Sequence, residues 1–319
     1  MIITEIFRNI WQPLKYNIRK GDNVLILTDP MVDTNIIKCL FSALWAIEAY
    51  PTLIVIPILR VNDELSNSTA SAIKEADLLI AATSKPVSRT RAVQNGRNMG
   101  IRYLAMGGIT TETLLKGAIT ANFEELYQLT SKYADILNQG DKVHITSEVG
   151  SDLTFSIKGR KALALDGRMD EISKSAGIPS GEAACSPVED TAEGIAVIDG
   201  GMHEIGLIQE PIILKIKKGK VVEITGGVEA NQLHELLETA GDSNSYNIAE
   251  FAFGTNPAAG VSHNIQEFKN KLGTVHIALG NNKNLFGNTF SKTHLDAIIL
   301  KPTVSIDGKV VMDKGKQVS

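Results

Sequence analysis

Four short apolar runs in the first 140 residues are separated by longer stretches of helical periodicity. Asn23-Val-Leu-Ile-Leu-Thr-Asp29 precedes an amphipathic segment from about Thr34 to Glu48. Thr52-Leu-Ile-Val-Ile-Pro57, Asp77-Leu-Leu-Ile-Ala-Ala82 and Ile101-Arg-Tyr-Leu-Ala-Met106 follow, each set off by helix-like sequence. The runs are continuous rather than alternating, as in parallel strands covered on both faces. Strand–helix alternation therefore predicts an α/β N-terminal domain, residues 1–140, with a mostly parallel doubly wound sheet. A helix over Asn122 to Gln139 ends at Gly140-Asp141, a plausible boundary.

From residue 141 to 319 the period shortens. Lys142–Thr146 and Leu153–Ile157 read as a hairpin turning around Gly150. Ile195–Ile198, Ile212–Ile216 and Val221–Ile224 are further strands, followed by one helix from Glu229 to Thr239 that stops at Gly241. Val304–Ile306 and Val310–Met312 flank Asp307-Gly308, a tight-turn signal. The second half is thus predicted to be a strand-rich α+β domain, and every candidate site residue lies in it. The loop after the first strand, Thr28 to Asp33, has no glycine, so the phosphate loop of a dinucleotide fold is absent.

The chemistry starts from Thr293-His294-Leu-Asp296, inside a run of β-branched residues that reads as a strand. Residues two apart on a strand share a face, so an imidazole and a carboxylate point at one spot. Three more segments place ligand-type side chains beside structure breakers: Glu182 after Pro179-Ser-Gly, Glu250 within Asn247–Pro257, and His276 between Val275 and Ile277. Singly, each is accounted for by a satisfied polar group. Together, two carboxylates with no cation nearby in sequence, two imidazoles and an aspartate suit one or two divalent ions. Oxygen and nitrogen donors without thiolate point to Zn, Mn, Co or Fe. His263 sits in a loop, either exposed or as an outer or substrate contact, while His144, His203 and His234 read as structural. Glu189, Asp190 and Glu193 read as a solvated acidic loop.

Composition narrows the partners. The net charge is −4, with charges interspersed, which argues against nucleic acid or an anionic membrane. Cys39 and Cys185 make no Cys-x-x-Cys pair, so a disulfide framework or thiolate zinc site is not expected. The N-terminus mixes charge into its apolar residues, and no uncharged run approaches the ~20 residues that span a bilayer. A cytoplasmic protein is expected.

Taken jointly, Pro179-Ser-Gly-Glu182 through Ala192-Glu-Gly194, Ala249-Glu250 with Gly254-Thr-Asn-Pro257, Gly273-Thr-Val-His276-Ile-Ala-Leu-Gly280 and Thr293-His294-Leu-Asp296 resemble the metallo-aminopeptidases typified by aminopeptidases T and S. That superfamily includes 2,5-dihydroxypyridine dioxygenase, an iron enzyme. The aminopeptidase resemblance implies a two-metal site of two glutamates, two histidines and an aspartate, matched here by Glu182, Glu250, His276, His294 and Asp296. The dioxygenase branch implies a single Fe(II) on two histidines and an aspartate; its first histidine would align with Glu250, and it has no carboxylate at the position of Glu182. The aminopeptidases carry an acidic residue five positions before the strand histidine, where this chain has Lys271, leaving Glu267 as the nearest carboxylate.

These features lead to the expectation of a metallo-aminopeptidase-like hydrolase acting on a short peptide or other small molecule. Two ions of Zn, Mn or Co, bridged by Glu250, would lower the pKa of a bound water toward ~7. Glu250 and Glu267 would be the catalytic pair, with Glu267 passing the proton to the leaving amine. The alternative is a mononuclear Fe(II) ring-cleaving dioxygenase built on His276, His294 and Asp296, acting on a dihydroxypyridine-like or catechol-like substrate. The resemblance also implies a homodimer.

Overall fold

The computed structural model describes residues 2–60, 63–170 and 173–318. The chain forms two compact units, Met1–Phe123 with Asp166–Ser180, and Glu124–Leu165 with Gly181–Ser319. The first unit has a parallel five-stranded sheet, in the order Tyr50–Val55, Asn23–Thr28, Leu78–Ala82, Arg102–Ala105, Ser175–Gly177. Helices Ile2–Asn17, Thr34–Ala46, Asn67–Lys74 and Arg91–Asn98 alternate with the strands. The spatial order reverses about the first strand, the doubly wound pattern. The last strand arrives from far downstream, so residues 166–180 belong to this unit although they lie beyond Gly140.

Two local readings change. Tyr50–Val55 has the continuous apolar run of a covered strand, yet it is an edge strand with Tyr50, Leu53 and Val55 exposed. Periodicity measures apolarity and cannot tell a centre from an edge. The glycine-free loop after Asn23–Thr28 is closed by the buried Asp29, whose carboxylate accepts from Met31 N (3.0 Å), Ser84 N (2.6 Å) and Ser84 Oγ (2.9 Å). An internal anion already uses the donors that a phosphate would need.

The second unit holds two antiparallel sheets, of eight and seven strands. Side chains from both build one core, including Val143, Leu153, Phe155 and Leu214 from the first and Phe251, Phe253, Ile277 and Ile299 from the second. Phe155 and Phe251 meet edge to face at 5.3 Å between centroids. Helix Val228–Ala240 adds Leu233 and Leu237 and ends at Gly241 in the left-handed conformation, where the sequence placed its stop. Thr303–Ile306 and Lys309–Asp313 pair through Asp307-Gly308, both at positive φ, as a two-residue hairpin turn requires.

Three central strands of the seven-stranded sheet, Ile248–Gly254, Thr274–Gly280 and His294–Leu300, are neighbours in antiparallel register. Their core face carries Phe251, Phe253, Val275, Ile277, Leu279, Leu295, Ala297 and Ile299. Alternation sends Glu250, His276, His294 and Asp296 to the other face. A bulge between Ile248 and Glu250 adds the residue that lets both Ile248 and Phe251 reach the core.

Glu189 corrects the reading of the acidic run as a solvated loop. Asp190 and Glu193 are exposed, but Glu189 is half-buried, ion-paired to Arg160 and accepting from Asn282 Nδ2 (2.9 Å) and Asn288 N (2.7 Å). Burial alone would raise its carboxyl, but these hydrogen bonds and the guanidinium outweigh it and hold the pKa at about 2 against an ordinary 4.5. A depressed folded-state pKa contributes stability above the unfolded value and loses it as pH falls through the folded one. The difference in urea midpoint between the wild type and Glu189→Gln should therefore be full at pH 6 and narrow as pH falls from 4.5 toward 2. A difference independent of pH would show that Glu189 contributes shape and not charge.

Candidate metal centre

Register builds the site. Ala278 pairs with Glu250 on one side and Asp296 on the other, so the two carboxylates flank a methyl group that leaves the space above it open. His276 lies two residues along the same strand, and His294 pairs with Gly280. Gly280 has φ +112°, and a Cβ there would run into the carbonyl oxygen of Thr293. Only glycine permits that approach. Glu182 enters from the next strand, Glu182–Cys185, pairing with Gly254.

The structure brings all five sequence-predicted ligands together, in two groups that share Glu250: Glu182, Glu250 and His276, and Glu250, His294 and Asp296. In the second, His294 Nε2 is 2.9 Å from Glu250 Oε2 and 3.2 Å from Asp296 Oδ1. In the first, His276 Nε2 is 3.3 Å from Glu182 Oε2 and 3.4 Å from Glu250 Oε1. His276 stands with the glutamates, and the third corner beside His294 and Asp296 is Glu250. Of the five, four are buried, while His294 keeps 29% of its side chain exposed and gives the centre its opening to solvent.

Outer contacts orient these groups. His294 Nδ1 donates to the carbonyl oxygen of Asn281 (2.8 Å), which leaves Nε2 facing the two carboxylates as a metal-binding imidazole does. Asp296 is divided between its two oxygens. Oδ2 lies 2.9 Å from Lys269 Nζ and 3.2 Å from His203 Nδ1, whereas the buried Oδ1 is left to His294 Nε2, 3.2 Å away. Lys269 also reaches Glu182, at 3.1 Å from Oε1 and 3.0 Å from Oε2.

Burial would lower the His294 pKa, but its hydrogen bonds to Asp296 and Glu250 hold it well above the ordinary value. Burial would raise Asp296, yet the Lys269 ammonium and the two histidine contacts keep it well below the carboxylate range. Lys269, which burial would deprotonate, is pushed upward by Asp296, Glu182 and Glu250. The corner between Glu250 Oε2, His294 Nε2 and Asp296 Oδ1 thus draws a positive charge, and its nitrogen and oxygen donors fit a divalent ion such as iron(II).

Two residues escaped the sequence reading. Lys269 was passed over for its neighbours Glu267 and Lys271, since nothing local marks a lysine as buried; its place between Phe268 and Asn270, next to the acid-rich segments, was the one available sign. His203 read as structural, and its 3.2 Å contact with Asp296 is a long-range product of the fold. His144 and His234 pair with Asp152 and Glu238. Glu267 is buried on the short helix Ile265–Phe268 and His263 is exposed, both outside the two ligand groups. Among the described residues no helix is long and apolar enough to cross a membrane.

Comparison with known proteins decides between the two branches. The family described as NicX, 2,5-dihydroxypyridine 5,6-dioxygenase, matches residues 3–319. The 2,5-dihydroxypyridine 5,6-dioxygenase of Pseudomonas putida is 28% identical over 199 residues, covering 58% of this chain and 56% of that protein. The match thus spans little more than half of that relative's length. In fold, the chain is similar to the 2,5-dihydroxypyridine dioxygenase structure from Pseudomonas putida KT2440, with a TM-score of 0.82, 20% identity and coverage of 99% of this chain and 98% of the other. Wild-type AmpT from Thermus thermophilus follows at 0.72 and 16%, covering 98% and 99%. The expected fold is there, with the parallel N-terminal sheet and the antiparallel, strand-rich C-terminal part. The metallo-aminopeptidase-like hydrolase is not: the family match overturns that expectation and the hydrolase and peptidase chemistry attached to it. The expectation weighed three carboxylates against two dications without the buried ammonium of Lys269. With a divalent-metal-capable cluster on a dioxygenase fold and a match running from residue 3 to 319, the chain belongs to the 2,5-dihydroxypyridine 5,6-dioxygenase family.

Proposed function

We propose that this chain is a mononuclear non-haem iron(II) dioxygenase that opens the ring of a dihydroxypyridine-like or catechol-like small molecule with O₂. The observation that carries the reading is the family match over residues 3–319, joined to a corner of imidazole and carboxylate donors able to take one divalent ion. Glu250, His294 and Asp296 would hold the metal. Bound there, iron(II) would relay electrons from the aromatic ring to O₂; the ring is the reductant and both oxygen atoms would end in the product, so no outside reductant is consumed.

The chain's own residues do the rest. Asn281 O and His203 fix His294 and Asp296 from behind, so that the donors need not reorganise. Glu182 and Glu250 hold His276 Nε2 between them, at 3.3 and 3.4 Å, and so fix that imidazole beside the corner. The exposed edge of His294 marks the side from which substrate would arrive. Glu250 is the departure from the two-histidine pattern, supplying a carboxylate where the dioxygenase branch has an imidazole.

Loaded anaerobically with Fe(II) and then given 2,5-dihydroxypyridine, the protein should consume one O₂ per ring in an oxygen electrode and bleach the ring's ultraviolet absorption. No uptake with any dihydroxypyridine or catechol would overturn the proposal. His294→Ala and Asp296→Ala should each lose more than ~100-fold in iron affinity and in turnover, because even outer partners of a metal ligand are worth 10–100-fold. His203→Ala, which removes such an outer partner, should weaken iron binding by about tenfold while the protein stays folded, read by competition with a chelator and by circular dichroism. Unchanged affinity would mean that Asp296 is held by Lys269 alone.

A further inference from the structure

Lys269 follows the short helix Ile265–Phe268, in the connection between strands Ile248–Gly254 and Thr274–Gly280. Two constraints draw this segment against the end of the first strand. Asn256 N donates to Asn270 O at 2.8 Å, and Leu272 N donates to Asn256 O at 2.9 Å. Gly254 has no side chain to obstruct the approach; a Cβ there would stand 2.9 Å from Lys269 O and collide with Lys271 O. The side chain is carried inward until 8% of it remains exposed, with the ammonium between two carboxylates.

What the ammonium takes and what it leaves are both specific. It donates to Glu182 Oε1, at 3.1 Å, and lies 3.0 Å from Glu182 Oε2 and 2.9 Å from one oxygen of Asp296. It leaves Glu250 Oε2, His294 Nε2 and Asp296 Oδ1, which face one another. Glu182, Glu250 and Asp296 contribute three negative charges and Lys269 one positive, so a single dication brings the buried cluster to neutrality. A second would leave two surplus charges beside a fixed ammonium, out of reach of water.

We infer that Lys269 stands in for a second metal ion: its ammonium occupies Glu182 and restricts the centre to one divalent cation, in the Glu250–His294–Asp296 corner. The inference rests on the metal reading above but needs no oxygen chemistry, so manganese(II) can probe it. Full-length protein dialysed against excess Mn(II) should carry one ion per chain, with the electron paramagnetic resonance spectrum of an isolated ion. Lys269→Ala should carry two, with a spin-coupled spectrum, and Lys269→Arg should return to one. Glu182→Gln, which keeps the size of the group that Lys269 holds, should stay at one ion and lose no more than ~100-fold in Mn(II) affinity. Losing an outer contact costs no more than 10–100-fold, and Glu182 meets the corner through Lys269 and His276.

Two ions per wild-type chain would overturn the inference, as would a folded Lys269→Ala protein that binds one. If Lys269→Ala does not fold, Glu182→Gln decides, since a loss beyond ~100-fold would mean that Glu182 is itself a ligand of the ion. Failure of oxygen uptake by the iron-loaded enzyme would leave every one of these counts standing, whereas zero ions in all variants would remove the metal reading and the inference with it.

Discussion

Three carboxylates buried on one face of a sheet are the constraint around which the second unit is organised. Glu182, Glu250 and Asp296 are each almost wholly removed from solvent, and an unpaired buried carboxylate is not tolerated in a folded protein. Each must meet positive charge or a donor, and the structure arranges this in layers. Lys269 answers Glu182 and half of Asp296, His203 reaches the same half, and the imidazoles of His276 and His294 face what is left. The corner of Glu250 Oε2, His294 Nε2 and Asp296 Oδ1 is the part of the cluster the ammonium does not reach, and its donors are the ones able to take a metal ion.

Such a cluster needs a rigid support. The same three strands that project it carry Phe251, Phe253, Ile277, Leu279 and Ile299 into the main core on their other face. Close packing there fixes the backbone, and antiparallel register then fixes which site residues are neighbours. Ala278 matters by being small between Glu250 and Asp296, and Gly280 by letting the strand of His294 come close at Thr293. Core and site are therefore one problem seen from two faces of a sheet.

Much of this was legible in the chain itself. Continuous apolar runs gave away the parallel sheet, and a His-x-Asp pair on a strand put two donors on one face, because both depend on local period. The five ligand-type residues were recognisable as polar groups in apolar surroundings, and all five converge. What stayed hidden depends on contacts between distant segments. The edge position of Tyr50–Val55 and the return of Ser175–Gly177 to the first sheet are settled by strand order, which periodicity does not encode. Glu189 looked solvated because its partners Arg160, Asn282 and Asn288 are far along the chain.

Lys269 is the instructive omission, because it alters the chemistry and not only the description. Without it, the cluster carries three negative charges and invites two dications, the arrangement of a water-activating hydrolase. With it, the charge to be met falls to that of one ion, and Asp296 is left with a single free oxygen to offer. A fold holds a site but does not select its chemistry. On the proposed reading, the difference between two reaction classes would reduce to whether the second positive charge is an exchangeable metal or an ammonium tethered to the backbone. The tether is set by Gly254, whose missing Cβ lets the Lys269–Lys271 turn close on the strand that presents Glu250. An interior cation of this kind, buried against Glu182 and Asp296, would act on the chemistry only through the number of ions its neighbours can share.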